Sequence, residues 1–314
     1  MSSKHLNYTI HSKHHHFGWD NSLDPIIYSK TGDLIEVDTI DSSGSQLNIK
    51  STIDDVDTLD FSKVNPVTGP IYIENAKIGD VIEIEIIDFQ SSGWGWTAVI
   101  PGFGLLSDIF NKPDLHVWKY DKNTLVDAAF SDFARIPLNP FVGTIGLSLH
   151  EKGLHSVVPP RNCGGNIDIK NLTKGSKLYL PVQVEGALLS LGDTHAAQGD
   201  GEVCGTAIES PMKVVIKIKL LKNISINSPQ IETFFTNNII DKKGHFIVTG
   251  IGPDLFESSR NAVKEMIELL VKKFNITPSK AYMLCSVCAD LKISEIVDIP
   301  NFVVSFHLPK YIFD

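Results

Sequence analysis

Cysteine is scarce, with four residues in a chain of 314. That is too few for a disulfide framework, so a packed core has to hold the fold and the expected compartment is reducing. Long apolar runs are also missing. No stretch approaches the ~20 apolar residues that a membrane-crossing helix needs, which sets a membrane aside as partner. The opening Met1-Ser2-Ser3-Lys4-His5 lacks the apolar centre of a secretory signal, and a cytoplasmic protein is expected. Positive charge is in deficit: 28 Lys and Arg against 37 Asp and Glu leave a net charge of −9. A chain of that sign repels phosphate backbones, which argues against nucleic acid as the main partner.

Core material is plentiful. Hydrophobic residues make up 42% of the chain and charged residues 21%, enough apolar surface for one large core or two smaller ones. Its patterning is mostly of period two. Ile82, Ile84 and Ile86 alternate with Glu83 and Glu85, and Met212, Val214, Ile216, Ile218 and Leu220 alternate with Lys213, Lys217 and Lys219. Leu178, Leu180, Val182 and Val184 repeat the pattern over Lys177–Glu185. One polar and one apolar face predict half-buried, antiparallel strands. Gly-Asp or Gly-Ser turns at Gly32-Asp33, Gly79-Asp80 and Gly175-Ser176 feed the strands read over Leu34–Thr39, Val81–Ile87 and Lys177–Glu185, as in a sandwich or jelly roll.

After about residue 225 the period changes. Val263, Met266, Ile267, Leu270 and Phe274 mark one face of a helix. Thr277-Pro278 supplies the cap and first turn of a second helix running to about Leu291. Ile293–Ile299 and Phe302–His307 read as closing strands. The expected fold is mostly β: a β-sandwich or jelly-roll-like core with a C-terminal α/β portion containing two helices. It is read as a single domain over 1–314, β-rich over 1–225 and helix-containing over 226–314.

Chemistry concentrates in a few loops. Gly192-Asp193-Thr194-His195-Ala196-Ala197-Gln198-Gly199-Asp200-Gly201-Glu202 crowds three acids, one histidine and turn-forming glycines into a short span. Carboxylates and imidazole are the ligands of a hard or borderline divalent cation. Asp193 and His195 share a face if the segment is extended. The competing reading is a polar surface hairpin. Pro159-Pro160-Arg161-Asn162-Cys163-Gly164-Gly165-Asn166-Ile167-Asp168 is a second irregular loop, where Asp168 could complete a cation site begun by Asp193 and His195. Cys163 is a weak nucleophile candidate, since no nearby histidine has an activating role.

Of His14-His15-His16, the first two read as tag-like and His16 as the better candidate, because Phe17-Gly18-Trp19 follows it. Asp41 closes a strand that could face the same pocket. Trp94 and Trp96 suit either a pocket wall or a core bend. Cys285 and Cys288 have redox-pair spacing but sit in a predicted helix, where they read as small core residues. His150, Glu151 and His155 remain without a role.

The run from His195 to Glu202, the Pro159–Asp168 loop and His16…Trp19 together resemble the acetamidase/formamidase family. Asn65–Pro70, Asn139–Gly146, Ala281–Leu284 and Asp290–Ser294 are similar to it too, so the resemblance covers nearly the whole chain. It implies a β-rich, usually homo-oligomeric enzyme that hydrolyses short linear amides to a carboxylate and ammonia at a metal site, with zinc expected and calcium as the alternative. The chain lacks the long insertion that formamidase-type members carry between Gly146 and Pro159, which favours the acetamidase-like branch. On that reading Asp168, Asp193 and His195 hold the metal, with His16 as a further ligand. Glu202, or else Asp200, moves the proton. Asn166 or the backbone of Gly164 and Gly165 holds the developing oxyanion. Trp94 and Trp96 close a pocket for a methyl group. The rival from another class is a calcium-stabilised sandwich that binds a carbohydrate or other ligand without catalysis.

Overall fold

The computed structural model describes residues 6–104, 111–131, 134–198, 202, 205–233, 244–276 and 290–310. The alternating segments form strands as their period dictates. Leu34–Asp38, Val81–Ser91, Lys177–Pro181 and Met212–Leu221 are neighbours in one nine-stranded sheet. In spatial order that sheet runs Tyr8–Ile10, Leu34–Asp38, Met212–Leu221, Val81–Ser91, Lys177–Pro181, Gln230–Glu232, His245–Gly252, Phe302–Pro309, Asp290–Glu295. It takes strands from both sides of residue 225. All its pairings are antiparallel except the first, where Tyr8–Ile10 lies parallel to Leu34–Asp38.

A six-stranded sheet covers the inner face of the first. Its path is Gly164–Asn166, Phe141–Leu147, Leu189–His195, Val67–Ile73 and His15–His16, with Ile27–Ser29 pairing parallel to Val67–Ile73. Phe141–Leu147 and Leu189–His195 are buried at every position, as expected of strands covered on both faces. Ile35, Ile84, Leu180 and Ile216 of one sheet and Ile71, Ile145, Leu189 and Leu191 of the other belong to one apolar cluster. This is the core of a sandwich.

The predicted C-terminal helix spans Leu255–Phe274. Asp254 caps it by accepting the Glu257 N–H at 2.8 Å, and Asn275 ends it in the left-handed conformation. Ala262, Met266 and Leu270 recur every four residues and bury against Val248, Val304 and Phe306. The second predicted helix lies outside the described residues from 277 to 289. Its expected end is corrected, because Asp290 and Leu291 are strand residues paired with His307 and Phe306. Cys285 and Cys288 fall in the same undescribed stretch.

Two strands are shorter than the alternation suggests. The strand from Lys177 stops at Pro181, which has no N–H to continue a ladder. The strand read over Ile293–Ile299 stops at Glu295, whose carboxylate accepts the N–H groups of Val297 and, at 2.5 Å, Asp298. That turn swings Asp298 inward.

Candidate active site

The site forms around the central strand Phe141–Leu147. On one side Thr144 faces Asn166; on the other Phe141 faces His195 and Thr144 faces Gly192. Asp168, two residues beyond one neighbour, and Asp193 with His195 at the end of the other are thereby brought together. Ligand atoms of Asp168, Asp193 and His195 all lie within 4.8 Å of one another. The chain between them crosses to the nine-stranded sheet through Lys177–Pro181 and returns.

Gly143 makes the approach sterically feasible. A Cβ there would stand 2.6 Å from Asp168 Oδ1 and 2.7 Å from the Asp193 carbonyl. Asp168, Asp193 and Glu202 all have positive φ, at 44°, 51° and 44°. Left-handed backbone is uncommon for Asp and more so for Glu, and it persists where surrounding structure enforces it. The Asp193–His195 contact therefore does not arise from the simple extended geometry expected from their spacing.

His195 is 1% exposed and its Nε2 lies 3.0 Å from Asp193 Oδ1 and 3.1 Å from Glu209 Oε2. Its Nδ1 is 2.9 Å from Gln198 Oε1, and the Gln198 amide donates to the Asp168 carbonyl at 3.0 Å. Burial alone would lower the histidine pKa, but Glu209 and Asp193 outweigh it and hold the imidazole well above its ordinary value. The reciprocal effect appears at Asp193. Burial would raise its pKa, yet the adjacent His195 holds it below the ordinary value.

For Asp168 and Glu202 the charge of His195 only partly offsets burial and the neighbouring acids. Burial, then Asp193, pushes Asp168 well above the carboxylate range. Burial, then Asp168, does the same to Glu202, and burial, then Glu295, to Asp298. Asp168 Oδ1 is buried without a hydrogen-bond partner. An orphaned carboxylate oxygen among buried acids and an imidazole fits the donor set of a divalent cation, which removes the mutual repulsion.

Glu209 and Asp298 are members of this cluster that the sequence reading missed. His195, Glu202 and Glu209 make one close group, and Asp168, Glu202 and Asp298 another. Glu209 is held by Ser42 Oγ and the Ala207 N–H, both at 2.7 Å. Asp298 accepts the Asn166 side-chain amide.

Other expected residues sit elsewhere or act differently. His16 lies outside the close groups of acids and imidazole among the described residues: its Nδ1 is 2.7 Å from the Gly18 carbonyl and its Nε2 2.9 Å from Ser190 Oγ. Asn166 is committed to Asp298 through its amide and to Thr144 Oγ1 at 2.7 Å through its oxygen, which makes it a brace. Gly164 and Gly165 are in the sheet rather than the pocket wall, and the Gly164 N–H donates to the Arg161 carbonyl at 3.0 Å. Trp96 lines the cavity and Trp94 does not. Asp41 points at Trp96, accepting its indole N–H at 2.9 Å. Asp200 lies outside the described residues. Cys163 is buried, and burial pushes its thiol up to about 12.

Above the acids opens a cavity of about 170 Å³. Asp168, Asp193, Glu202, Glu209 and Asp298 form its floor, and Phe61, Trp96, Ile100, Phe103 and Val158 are among its walls. The fold and this site define a class: a β-sandwich with a buried acid–imidazole centre beneath a small, apolar-walled cavity.

The chain belongs to the acetamidase/formamidase family, whose model matches residues 4–156 and 149–314. It is 29% identical to the formamidase of Methylophilus methylotrophus, over 95% of this chain and 89% of that protein. Among solved structures, an acetamidase from Bacillus halodurans superposes with a TM-score of 0.87 at 31% identity, covering 97% of this chain and 98% of that one. A predicted acetamidase/formamidase from Thermoanaerobacter tengcongensis gives 0.88 at 30% identity, with 99% and 98% covered.

Proposed function

We propose that the protein hydrolyses short linear amides of the acetamide and formamide type to a carboxylate and ammonia in this cavity, with a divalent metal, zinc first, at its floor. The observation that carries the reading is the unpartnered, buried Asp168 Oδ1 facing Asp193 and His195. Asp168, Asp193 and His195 would hold the ion, with Glu202, Glu209 and Asp298 in reach. An imidazole in the set favours zinc over calcium, which prefers oxygen ligands alone. A bound divalent cation supplies carbonyl polarisation and a more acidic water.

The chain's own groups do the rest. An amide needs a proton delivered to its nitrogen before ammonia can leave, and one withdrawn from the attacking water. Glu202 is suited to both. Burial keeps its carboxyl protonated more readily than a surface glutamate, so it can donate to nitrogen and be reprotonated from water. Asn166 holds the Asp298 carboxylate and Gln198 the Asp168 carbonyl, and Thr144 Oγ1 lies 3.0 Å from Asp193 Oδ2. Trp96, pinned by Asp41, keeps bulk water from one side of the cavity. Homo-oligomeric assembly and a cytoplasmic location belong to the same proposal.

The test is ammonia release from one- to four-carbon amides by metal-replete protein and by chelator-treated protein. Release that is lost with chelator and restored by zinc supports the reading. Silence of the metal-replete protein on every amide defeats it.

A further inference from the structure

Resting on that reading, we propose that the cavity is an alkyl pocket that prefers four- and five-carbon primary amides over acetamide. The argument starts from size. An apolar cavity of about 150 Å³ holds a benzene ring, six carbon atoms. The cavity here is about 170 Å³, room for six or seven non-hydrogen atoms. Acetamide has four, which leaves space for two or three methylenes.

The chemistry of the walls agrees. The acids cluster closely, and a carboxamide would seat against them. Leu59, Phe61, Trp96, Ile100, Phe103 and Val158 supply apolar lining, beside the polar Ser42, Ser43, Asn65 and Thr206. A formyl or acetyl group would leave most of that apolar surface facing water.

Two of these side chains are placed by close contacts. The indole of Trp96 is tied to Asp41 at 2.9 Å. The ring of Phe103 lies so close over Gly205 that a Cβ there would overlap it, and Gly205 has a φ of +90°. Ile100 is 7% exposed, whereas Phe61 is 55% exposed at the mouth. The pocket thus has a closely packed interior and an open rim, which predicts a chain-length limit set by the interior. Ile100 and Phe103 are the specificity-determining residues.

The experiment is kcat/KM for acetamide, propionamide, butyramide, valeramide and hexanamide with metal-replete protein, read beside the thermal shift each amide produces. These amides differ little in intrinsic reactivity, so the series reads the walls. About 0.8 kcal/mol per buried methylene predicts a rise of about threefold to fourfold per carbon, ending at butyramide or valeramide. Ile100→Phe should move that limit to shorter chains and Phe103→Ala to longer ones. A flat or falling series from acetamide onward overturns the proposal. The thermal shift separates it from the hydrolysis reading. No turnover with greater stabilisation by butyramide than by acetamide keeps the pocket and sinks the hydrolase. Neither turnover nor a chain-length trend in stabilisation sinks both.

Discussion

Gly143 and Asp168 approach so closely that a methyl group on the glycine would sit 2.6 Å from the carboxylate Oδ1. The same methyl would stand 2.7 Å from the carbonyl of Asp193. Gly143 is in the middle strand of the site, and its carbonyl accepts the N–H groups of Ile167 at 3.1 Å and Asp168 at 3.2 Å, which ties it beside the acids. Gly143→Ala must therefore push at least one acid out of the cluster. Overpacking of this kind costs about 1–3 kcal/mol, and a misplacement of about 1 Å at a reacting centre costs on the order of 100-fold in rate. Unfolding midpoints and amide turnover measure the two effects. Wild-type activity in a folded Gly143→Ala protein would mean that Asp168 is not part of the working site.

Asp298 tests the part of the cluster contributed by the C-terminal region. It is 3% exposed and receives the Asn166 amide. Asp298→Asn keeps the shape and an acceptor oxygen but removes a charge. Zinc affinity, measured by competition with a chromogenic chelator, should fall about 10–100-fold. Thermal stability of the metal-free protein should change little or rise, because one buried acid has gone. Unchanged affinity would place Asp298 outside the metal's reach.

These two residues also show how far the sequence could be read. Period-two alternation located Val81–Ser91 and Met212–Leu221 because each buries one face, and a one-residue shift would expose the apolar set. Asp168, Asp193 and His195 were legible because acids, imidazole and glycine are crowded within short loops. Glu209 and Asp298 were not. Each is a lone acid among apolar neighbours, Ile208 before one and Val297 and Ile299 around the other, and such an acid also ends many ordinary strands. The pairing of Glu209 with Trp96 and His195, and the turn made by Glu295, supply the placement, and both are long-range consequences of the fold. His16 misled for a related reason. An ordered sequence beside a histidine shows only that it is placed, and His16 is placed against Gly18 and Ser190, outside the close groups of acids.

Cys163 should prove dispensable for chemistry. Its thiol is 2% exposed and points at the Leu147 carbonyl, 3.3 Å away. With its pKa pushed up to about 12, almost none is thiolate at neutral pH. Cys163→Ala should keep full amide turnover and lose about 1 kcal/mol or less of stability from the small void. The folded protein should resist alkylation at this position, as mass spectrometry of a short iodoacetamide treatment would show. Loss of turnover in a folded Cys163→Ala protein would reopen the thiol mechanism.

His307 should make the fold sensitive to mild acid, independently of the active site. It lies 3% exposed in the strand Phe302–Pro309, with Nε2 2.8 Å from Ser305 Oγ and its ring 6.1 Å from that of His245. Burial, followed by the charges of Lys292, His245 and Lys170, drops its pKa from 6.5 to about 3. The folded state therefore keeps the imidazole neutral, while the unfolded chain takes up a proton below about 6.5. Stability is unaffected by this group above that pH. It falls as pH drops from 6.5 toward 3, because only the unfolded chain gains the proton. Between pH 7 and pH 5 the loss amounts to about 2 kcal/mol from this residue. Exposed carboxylates with depressed pKa values, such as Asp60 at about 2, titrate lower and add little in that window. His307→Gln keeps a polar side chain that can meet Ser305 but cannot titrate. Urea unfolding at pH 7 and pH 5 should show the wild type losing about 2 kcal/mol more than the variant. Equal losses in the two proteins would mean that His307 can accept a proton without leaving its place in the sheet.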